Sequence, residues 1–169
     1  MTIAINERRV LSAVTSAVIL VNRELQGDDV GRRGGYFCMG GPNQFGVFTV
    51  TDRRPIGPTP TKKRRRYKDL SLQKLNRLFF NPGYFSSWQL RKPERDQWGG
   101  AIRAGDYIFS FSGLPELADE AAMLIVAVML LLLTYEQACS IAELSNNQYF
   151  LGNGIRDFLG QHPRTTVEE

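Results

Sequence analysis

The stretch from Trp98 to Leu133 reads WGGAIRAGDYIFSFSGLPELADEAAMLIVAVMLLLL, and the rest of the chain is best understood around it. Its first part holds two short apolar runs on either side of Ala104-Gly105-Asp106, which has the turn chemistry of a β-hairpin. In the second run, Tyr107, Phe109 and Phe111 alternate with isoleucine and serine. A period of two residues predicts that the three aromatic side chains lie on one face of a sheet.

The last part of the same stretch predicts a buried helix. Pro115 suits a first helical turn, where its missing N–H has no partner in any case. Glu116, Asp119 and Glu120 follow, in the turns where the helix dipole favours carboxylates. The next segment, 121–133, holds thirteen residues, none of them polar. A membrane span needs about 20 residues, so a core helix is predicted, covered by the sheet and by another helix or a second copy of the chain.

Composition favours one ordinary domain of a cytoplasmic protein. The chain has 169 residues, 43% of them hydrophobic, which is enough for a core of its own. Cys38 and Cys139 make neither a disulfide framework nor a zinc site, and Met1–Ile5 is too short for a secretory signal. The net charge of +4 is uneven, because residues 1–68 carry 13 Lys and Arg against 5 Asp and Glu, whereas residues 69–169 carry 8 against 12. These halves can attract each other, within one fold or between subunits.

The first half of the chain predicts a helix, a hairpin and a second helix. Hydrophobic spacing and turn residues predict, in order, a helix over 7–26, strands over 36–39 and 45–51, and a helix that begins at Asp69 and ends before Pro82. Residues 52–61 carry three prolines and predict an extended, exposed linker between the hairpin and the second helix.

Four short motifs precede the apolar helix in a fixed order. They are Gly99-Gly100, the Gly105-Asp106 turn, Ser112-Gly113 and Glu116-x-x-Asp119-Glu120. Together with the order of elements over about residues 7–133, they resemble the haem-binding GlcG/HbpS-like family, to which the C-terminal domain of PduO is related. The resemblance implies a profilin-like antiparallel sheet packed by helices, an α+β fold, self-association into a homo-oligomer, and a pocket for a small ligand or haem. The matched region holds no histidine, so a His-ligated haem does not carry over.

The organisation expected from this resemblance is a domain over 1–133 with a helical extension over 134–169 packed on it. Thr134-x-x-Gln137 is a capping box and predicts that the extension begins with a helix. A last short helix is predicted over 155–159, and the tail from Gln161 is expected to be frayed.

Chemistry-bearing residues suggest binding rather than catalysis. The only histidine, His162, lies near the tail, so the sequence offers no Ser-His-Asp set and no metal cluster. Ser112 lacks the preceding glycine of a nucleophile elbow. Glu116 and Glu120 share a helix face, as an acid/base pair would, but the helix dipole and the basic half of the chain explain them as well. The candidates for lining a ligand pocket are Arg103, Tyr107, Ser112 and Glu116.

A basic run gives the sharpest functional signal. Its six cations are Lys62, Lys63, Arg64, Arg65, Arg66 and Lys68, predicted to lie on a Pro-rich loop. Such a run is a footprint for nucleic acid or another polyanion, and Tyr67 and Tyr84 are placed to stack on bases. The alternatives are a solvated charge run or a contact with an acidic surface of the same assembly. Residues 114–169 hold two Arg against eight carboxylates, which argues against a DNA-reading helix-turn-helix there.

Three classes of function follow from these observations. The first is a non-enzymatic, oligomeric protein that binds a small ligand or a protein partner, with haem as one candidate cofactor. The second is an accessory protein that binds nucleic acid or another polyanion through residues 62–68. The third is an enzyme that uses carboxylates alone.

Overall fold

A four-stranded antiparallel sheet separates two helical layers. The computed structural model describes residues 5–160. The strands are β1 (Gly35–Pro42), β2 (Phe48–Ile56), β3 (Ala101–Ala104) and β4 (Tyr107–Ser112), in the spatial order β2-β1-β4-β3. The helices are α1 (Glu7–Asn22), α2 (Thr61–Phe79), α3 (Glu116–Met129), α4 (Tyr135–Leu144), α5 (Gln148–Leu151) and α6 (Asn153–Gly160). The prediction of an α+β fold with an antiparallel sheet packed by helices is confirmed.

The two faces of the sheet bury different side chains. Phe109 and Phe111 belong to the main hydrophobic core with α1 and α3, as the alternation of aromatic residues predicts. Cys38 and Ile108 point to the other face, where they pack with Leu75 of α2 in a second cluster. Because neighbouring residues of a strand point to opposite faces, one short strand supports both layers.

The apolar helix α3 is the centre of the larger layer. Every side chain from Ala118 to Ala127 is buried. The strands β3 and β4 cover one side of α3, and α1 and the C-terminal helices cover the others, so its cover comes from the same chain. Each fully buried leucine, isoleucine, valine or methionine contributes about 1.5–3 kcal/mol. None of the helices within residues 5–160 combines the length and the apolar character that crossing a bilayer requires.

The connection between the hairpin and the second helix differs from the prediction. Residues 52–56, expected in an exposed linker, complete β2, where Arg53 and Arg54 pair with Cys38 and Phe37 of β1. Pro55 is tolerated because β2 is an edge strand, on which one row of N–H groups needs no partner.

The second helix also begins earlier than predicted. It starts at Thr61 rather than Asp69, so the basic run belongs to its first turns and not to a loop. Lys and Arg are good helix formers, and the apolar side of α2 that begins at Ser71 anchors the turns before it. By contrast, two other helices are shorter than predicted. The first helix, α1, ends at Asn22 and not at residue 26, and α3 ends at Met129, before the end of the apolar run at residue 133.

The C-terminal helices share the main core. Ala138 and Ile141 of α4, Phe150 of α5 and Ile155 of α6 belong to the same cluster as α3. The predicted capping box is present, because the Gln137 backbone N–H donates to Thr134 Oγ1 at 3.1 Å and the Gln137 side chain accepts from the Thr134 N–H at 2.9 Å. The tail from Gln161, including His162, lies outside the described residues.

Candidate functional site

The carboxylate of Asp119 forms a buried ion pair. Its Oδ2 lies 3.0 Å from Nζ of Lys74 on α2, and both side chains are at most 3% exposed. Lys74 Nζ also donates to the carbonyl oxygen of Phe111 at 2.8 Å, and Asp119 Oδ1 accepts from the Leu114 N–H at 2.9 Å. Burial raises the pKa of Asp119 to about 6, against the opposing effect of Lys74. This ion pair connects the two helical layers at the end of β4.

Glu120 is the second buried carboxylate of α3. It accepts hydrogen bonds from the hydroxyl groups of Ser86 and Ser145, and from Asn147 Nδ2 at 2.9 Å. Burial raises the pKa of Glu120, and the three hydrogen bonds oppose that rise. Its donors come from the segment after α2 and from the connection between α4 and α5. Glu120 therefore fixes both segments on the head of α3.

Glu116 and the preceding glycines complete the arrangement. Glu116 accepts from the Gly99 N–H at 2.9 Å and pairs with Arg91 at 2.7 Å. Gly100 has φ +117°, and a Cβ there would lie 2.8 Å from both Lys74 Nζ and the Cβ of Asp119. Only glycine adopts this backbone conformation without strain and leaves room for the ion pair. These glycines and carboxylates are thus bonded to each other and to neighbouring segments.

The four residues predicted to line a ligand pocket lie in separate surroundings. Arg103 donates to the carbonyl oxygens of Leu78 and Tyr84, which fixes the end of α2. Tyr107 packs beside Phe109, and Ser112 Oγ is buried without a hydrogen bond among the described atoms. Five residues along a strand extend about 17 Å, so Tyr107 and Ser112 lie far apart on β4, on opposite faces. The structure does not bring these two residues together, and Glu116 is engaged as described above.

Two surface clefts are lined by residues other than the four predicted to line a ligand pocket. One, of about 420 Å³, lies between the end of α1 and the C-terminal helices and is lined by Glu24, Gln26, Gln148, Tyr149 and Asn153, among others. The second, of about 460 Å³, runs beside α2 and is lined by Lys62, Arg65, Arg66, Asp69, Leu70, Gln73 and Asp96. None of the four predicted pocket residues lines either cleft. Three of the six predicted polyanion-binding cations line the second.

The basic α2 surface consists of residues 62–68, whose six cations are all exposed. Arg66 pairs with Asp96 at 2.8 Å, and Arg64 Nε donates to the Thr59 carbonyl oxygen at 3.2 Å. Within residues 5–160, no ion pair involves Lys62, Lys63, Arg65 or Lys68. All six positive charges therefore face solvent, and among the described residues a carboxylate pairs with Arg66 alone of the six. The helical conformation keeps all six on about two turns.

The position of these cations in the helix adds to the positive potential. The N-cap, Pro60, makes no side-chain hydrogen bond to the helix, and the first turn of α2 holds no acidic residue. The N-terminal end of a helix carries partial positive charge, so cations there are unfavourable and anions are favourable. Lys62 and Arg66, and likewise Arg64 and Lys68, are like charges four residues apart, which repel each other. An anion bound here would relieve both effects.

Two features lie outside the predictions made from the sequence. Lys74 is a buried cation, and a signal for it exists, because it lies on the same helix side as Ser71, Leu75 and Leu78. The aromatic end of α2, formed by Phe48, Phe79 and Phe80, has no such signal, since Phe48 belongs to β2 and reaches α2 only in the folded chain. Among residues 5–160 there is no group of three or more His, Cys, Asp or Glu that could hold a metal ion.

Fold and site together define an α+β protein whose layers are joined by buried carboxylates and whose second helix carries an exposed basic surface. Comparison of the chain with protein-family models, with curated proteins and with solved structures found no match. The resemblance to the GlcG/HbpS-like family therefore stays a prediction.

Proposed function

We propose that this protein is a non-enzymatic nucleic-acid-binding protein that contacts phosphate groups through the basic α2 surface. The observation that carries the proposal is a set of four exposed cations, Lys62, Lys63, Arg65 and Lys68, at the positive end of a helix. Among residues 5–160, none of the four pairs with a carboxylate. Phosphate contacts by Lys and Arg supply most of the non-specific affinity of proteins for nucleic acids.

The neighbouring carboxylates do not neutralise this surface. Asp96 is engaged by Arg66 and by the indole N–H of Trp98 at 2.7 Å, and Asp69 is the one carboxylate within α2. The alternative to a binding surface is a run of charged side chains that contact only water. Six like charges on the first turns of a helix oppose both one another and the helix dipole, so the arrangement lowers the stability of α2. Among the described residues, contacts within the protein offset this loss at Arg64 and Arg66, and not at the other four cations. That loss supports a role in binding anions.

The class that binds a small ligand has less support from the geometry. Arg103 and Glu116 are bonded within the protein, and Tyr107 and Ser112 lie at opposite ends of β4. This class, the homo-oligomer and haem as its candidate cofactor stay predictions based on the family resemblance.

A direct test compares two triple variants with equal loss of charge. The first, K62Q/K63Q/R65Q, removes three exposed cations of the basic α2 surface that pair with no carboxylate within residues 5–160. The matched control, R8Q/R9Q/R23Q, removes three exposed cations at the two ends of α1, on the opposite layer. Arg8 and Arg9 lie in the first turn and Arg23 follows the last residue, and none of the three takes part in an ion pair among the described residues. Fluorescence anisotropy with labelled oligonucleotides at one fixed ionic strength then measures affinity.

We expect the α2 variant to lose at least tenfold in affinity, while the α1 control changes by less than about threefold. Circular dichroism checks that α2 remains folded in the variant, as expected, because the substituted side chains are exposed and glutamine is a good helix former. Equal losses in the two variants would mean that net charge alone attracts the nucleic acid. No binding by the wild-type protein would refute the proposed function.

A further inference from the structure

The end of α2 opposite the basic surface carries a cluster of exposed aromatic rings. Phe79 stacks on Phe48, with ring centroids 4.2 Å apart and planes inclined by 20°. Phe80 meets Phe79 edge to face at 5.1 Å and is 75% exposed. Single exposed apolar side chains are common on protein surfaces, whereas contiguous exposed apolar patches mark interaction sites more often. We call Phe48, Phe79 and Phe80 the aromatic end of α2.

Neighbouring rings extend the same region. Tyr84 and Phe85 follow closely in the chain and are 39% and 53% exposed. Their backbone is fixed to the sheet, because the Arg103 N–H donates to the Phe85 carbonyl oxygen at 2.8 Å, and the Arg103 guanidinium donates to the Tyr84 carbonyl oxygen at 3.1 Å. The backbone that carries Tyr84 and Phe85 is therefore held in place and needs little ordering when a partner binds.

The aromatic end lies in line with the cations. An α-helix completes a turn in 3.6 residues, so positions 62 and 80, eighteen residues apart, are separated by five whole turns and lie on the same side. Positions 68 and 79, eleven residues apart, are separated by about three turns and about 16 Å along the axis. One row thus runs along the exposed side of α2 from Lys62 to Phe80, whereas Lys68 and Phe79 lie on a flank of the helix, in line with the buried Leu75.

We infer that the ligand of α2 is single-stranded nucleic acid, with its phosphates on the basic α2 surface and its bases stacked on the rings of the aromatic end. This inference rests on the proposed function and specifies its substrate. Within a duplex the faces of the bases are covered by stacking on neighbouring base pairs, whereas a single strand can present them to aromatic side chains. A groove of cations followed by open aromatic rings is the combination that binds single strands with little sequence preference.

An anionic lipid surface is the competing occupant, and the geometry favours it less. Asp69, Gln73 and Asn76 lie on the exposed side of α2 between the cations and Phe80. A membrane that received the rings would have to desolvate these polar groups as well. An extended strand can pass over polar groups, which remain wet in such interfaces.

Substitutions at Phe80 separate stacking from apolar contact. F80A removes the ring, F80L keeps an apolar side chain without a π face, and F80W enlarges the ring. Because Phe80 follows the last residue of α2 and is mostly exposed, these variants are expected to fold. I19A on α1 is the control, since Ile19 is an apolar side chain that is 50% exposed on the opposite layer.

The probes are labelled oligo-dT and oligo-U of about 16 nucleotides, a duplex of the same length, and vesicles that contain phosphatidylserine. We expect the wild-type protein to bind the single strands more tightly than the duplex. F80A should weaken single-strand binding by about five- to a hundredfold, F80L should weaken it nearly as much, and F80W and I19A should change it by less than threefold. Duplex binding should be insensitive to all four substitutions.

The other possible outcomes overturn either the stacking inference or the proposed function. If F80A leaves single-strand affinity unchanged while K62Q/K63Q/R65Q still weakens it, the stacking inference is wrong and the proposed function stands. If F80L binds single strands as tightly as the wild-type protein does, Phe80 makes an apolar contact and not a stacking contact, which also overturns the inference. Vesicle binding that depends on Phe80, without preference for single strands, would assign the surface to lipid. No binding to either nucleic acid by the wild-type protein would overturn the proposed function itself.

Discussion

Replacing Lys74 by methionine tests the buried ion pair that joins the two helical layers. Lys74 is 2% exposed and donates to both Asp119 and the Phe111 carbonyl oxygen. Methionine has a similar length and no charge, so the substitution removes these contacts without opening a large cavity. At pH 8, K74M leaves the Asp119 carboxylate buried without its counter-charge. Removal of one partner of a buried ion pair destabilises a protein by about 3–5 kcal/mol.

The same substitution should be much milder in acid. The pKa of Asp119 is raised to about 6 by burial, so at pH 5 this group is mostly protonated in the folded protein. The loss is then mainly the hydrogen bond to the Phe111 carbonyl oxygen, which is about 1.5–3 kcal/mol for a charged donor. Urea unfolding of wild type and K74M at both pH values measures the difference. K68M, which changes an exposed lysine of the same helix, serves as the control and should shift stability by less than about 0.5 kcal/mol.

A loss below 1 kcal/mol at pH 8 would refute this interpretation of the ion pair. So would an equal loss at pH 5 and pH 8, because it would mean that the protonation state of Asp119 has no influence on the stability that Lys74 provides.

Three further predictions concern stability. Gly100→Ala should lower the free energy of unfolding by about 1–3 kcal/mol in urea titrations, because of its φ of +117° and the contact with the ion pair. Thr134→Ala should remove about 1 kcal/mol by deleting the N-cap of α4, measured in the same way. Because the pKa of Asp119 is raised in the folded state, that state binds the proton more tightly, so its contribution makes stability fall by about 3 kcal/mol as pH rises from about 4 to 6. D119N should flatten this pH dependence of the urea midpoint.

Local sequence patterns were sufficient for much of the fold. The alternation at Tyr107, Phe109 and Phe111 and the apolar run after Glu120 identified β4 and α3, because their periodicity is visible within a few residues. The start of α2 was missed, since six like charges and three prolines are typical of a loop. Side chains beyond Ser71 that pack on the sheet stabilise those turns, and this tertiary effect is not visible in the local pattern.

The candidate site was predictable only in part. Its six cations lie within seven consecutive residues, so the sequence is sufficient to identify them as a candidate site. It is not sufficient to predict that they lie on a helix. The aromatic end depends on Phe48 reaching Phe79 from another element, and no local pattern encodes that contact. The carboxylates of α3 were recognised as a group, but their partners Lys74, Ser86 and Asn147 come from distant segments.

The salt dependence of binding tests the central claim most directly. The affinity of wild type and of K62Q/K63Q/R65Q for the same oligonucleotide is measured between about 50 and 200 mM salt, and the logarithm of the association constant is plotted against that of the salt concentration. If the three cations each contact a phosphate, the slope of the variant should be less steep than that of the wild type by about 2 to 3. Equal slopes for the two proteins would contradict the claim that the basic α2 surface holds the nucleic acid.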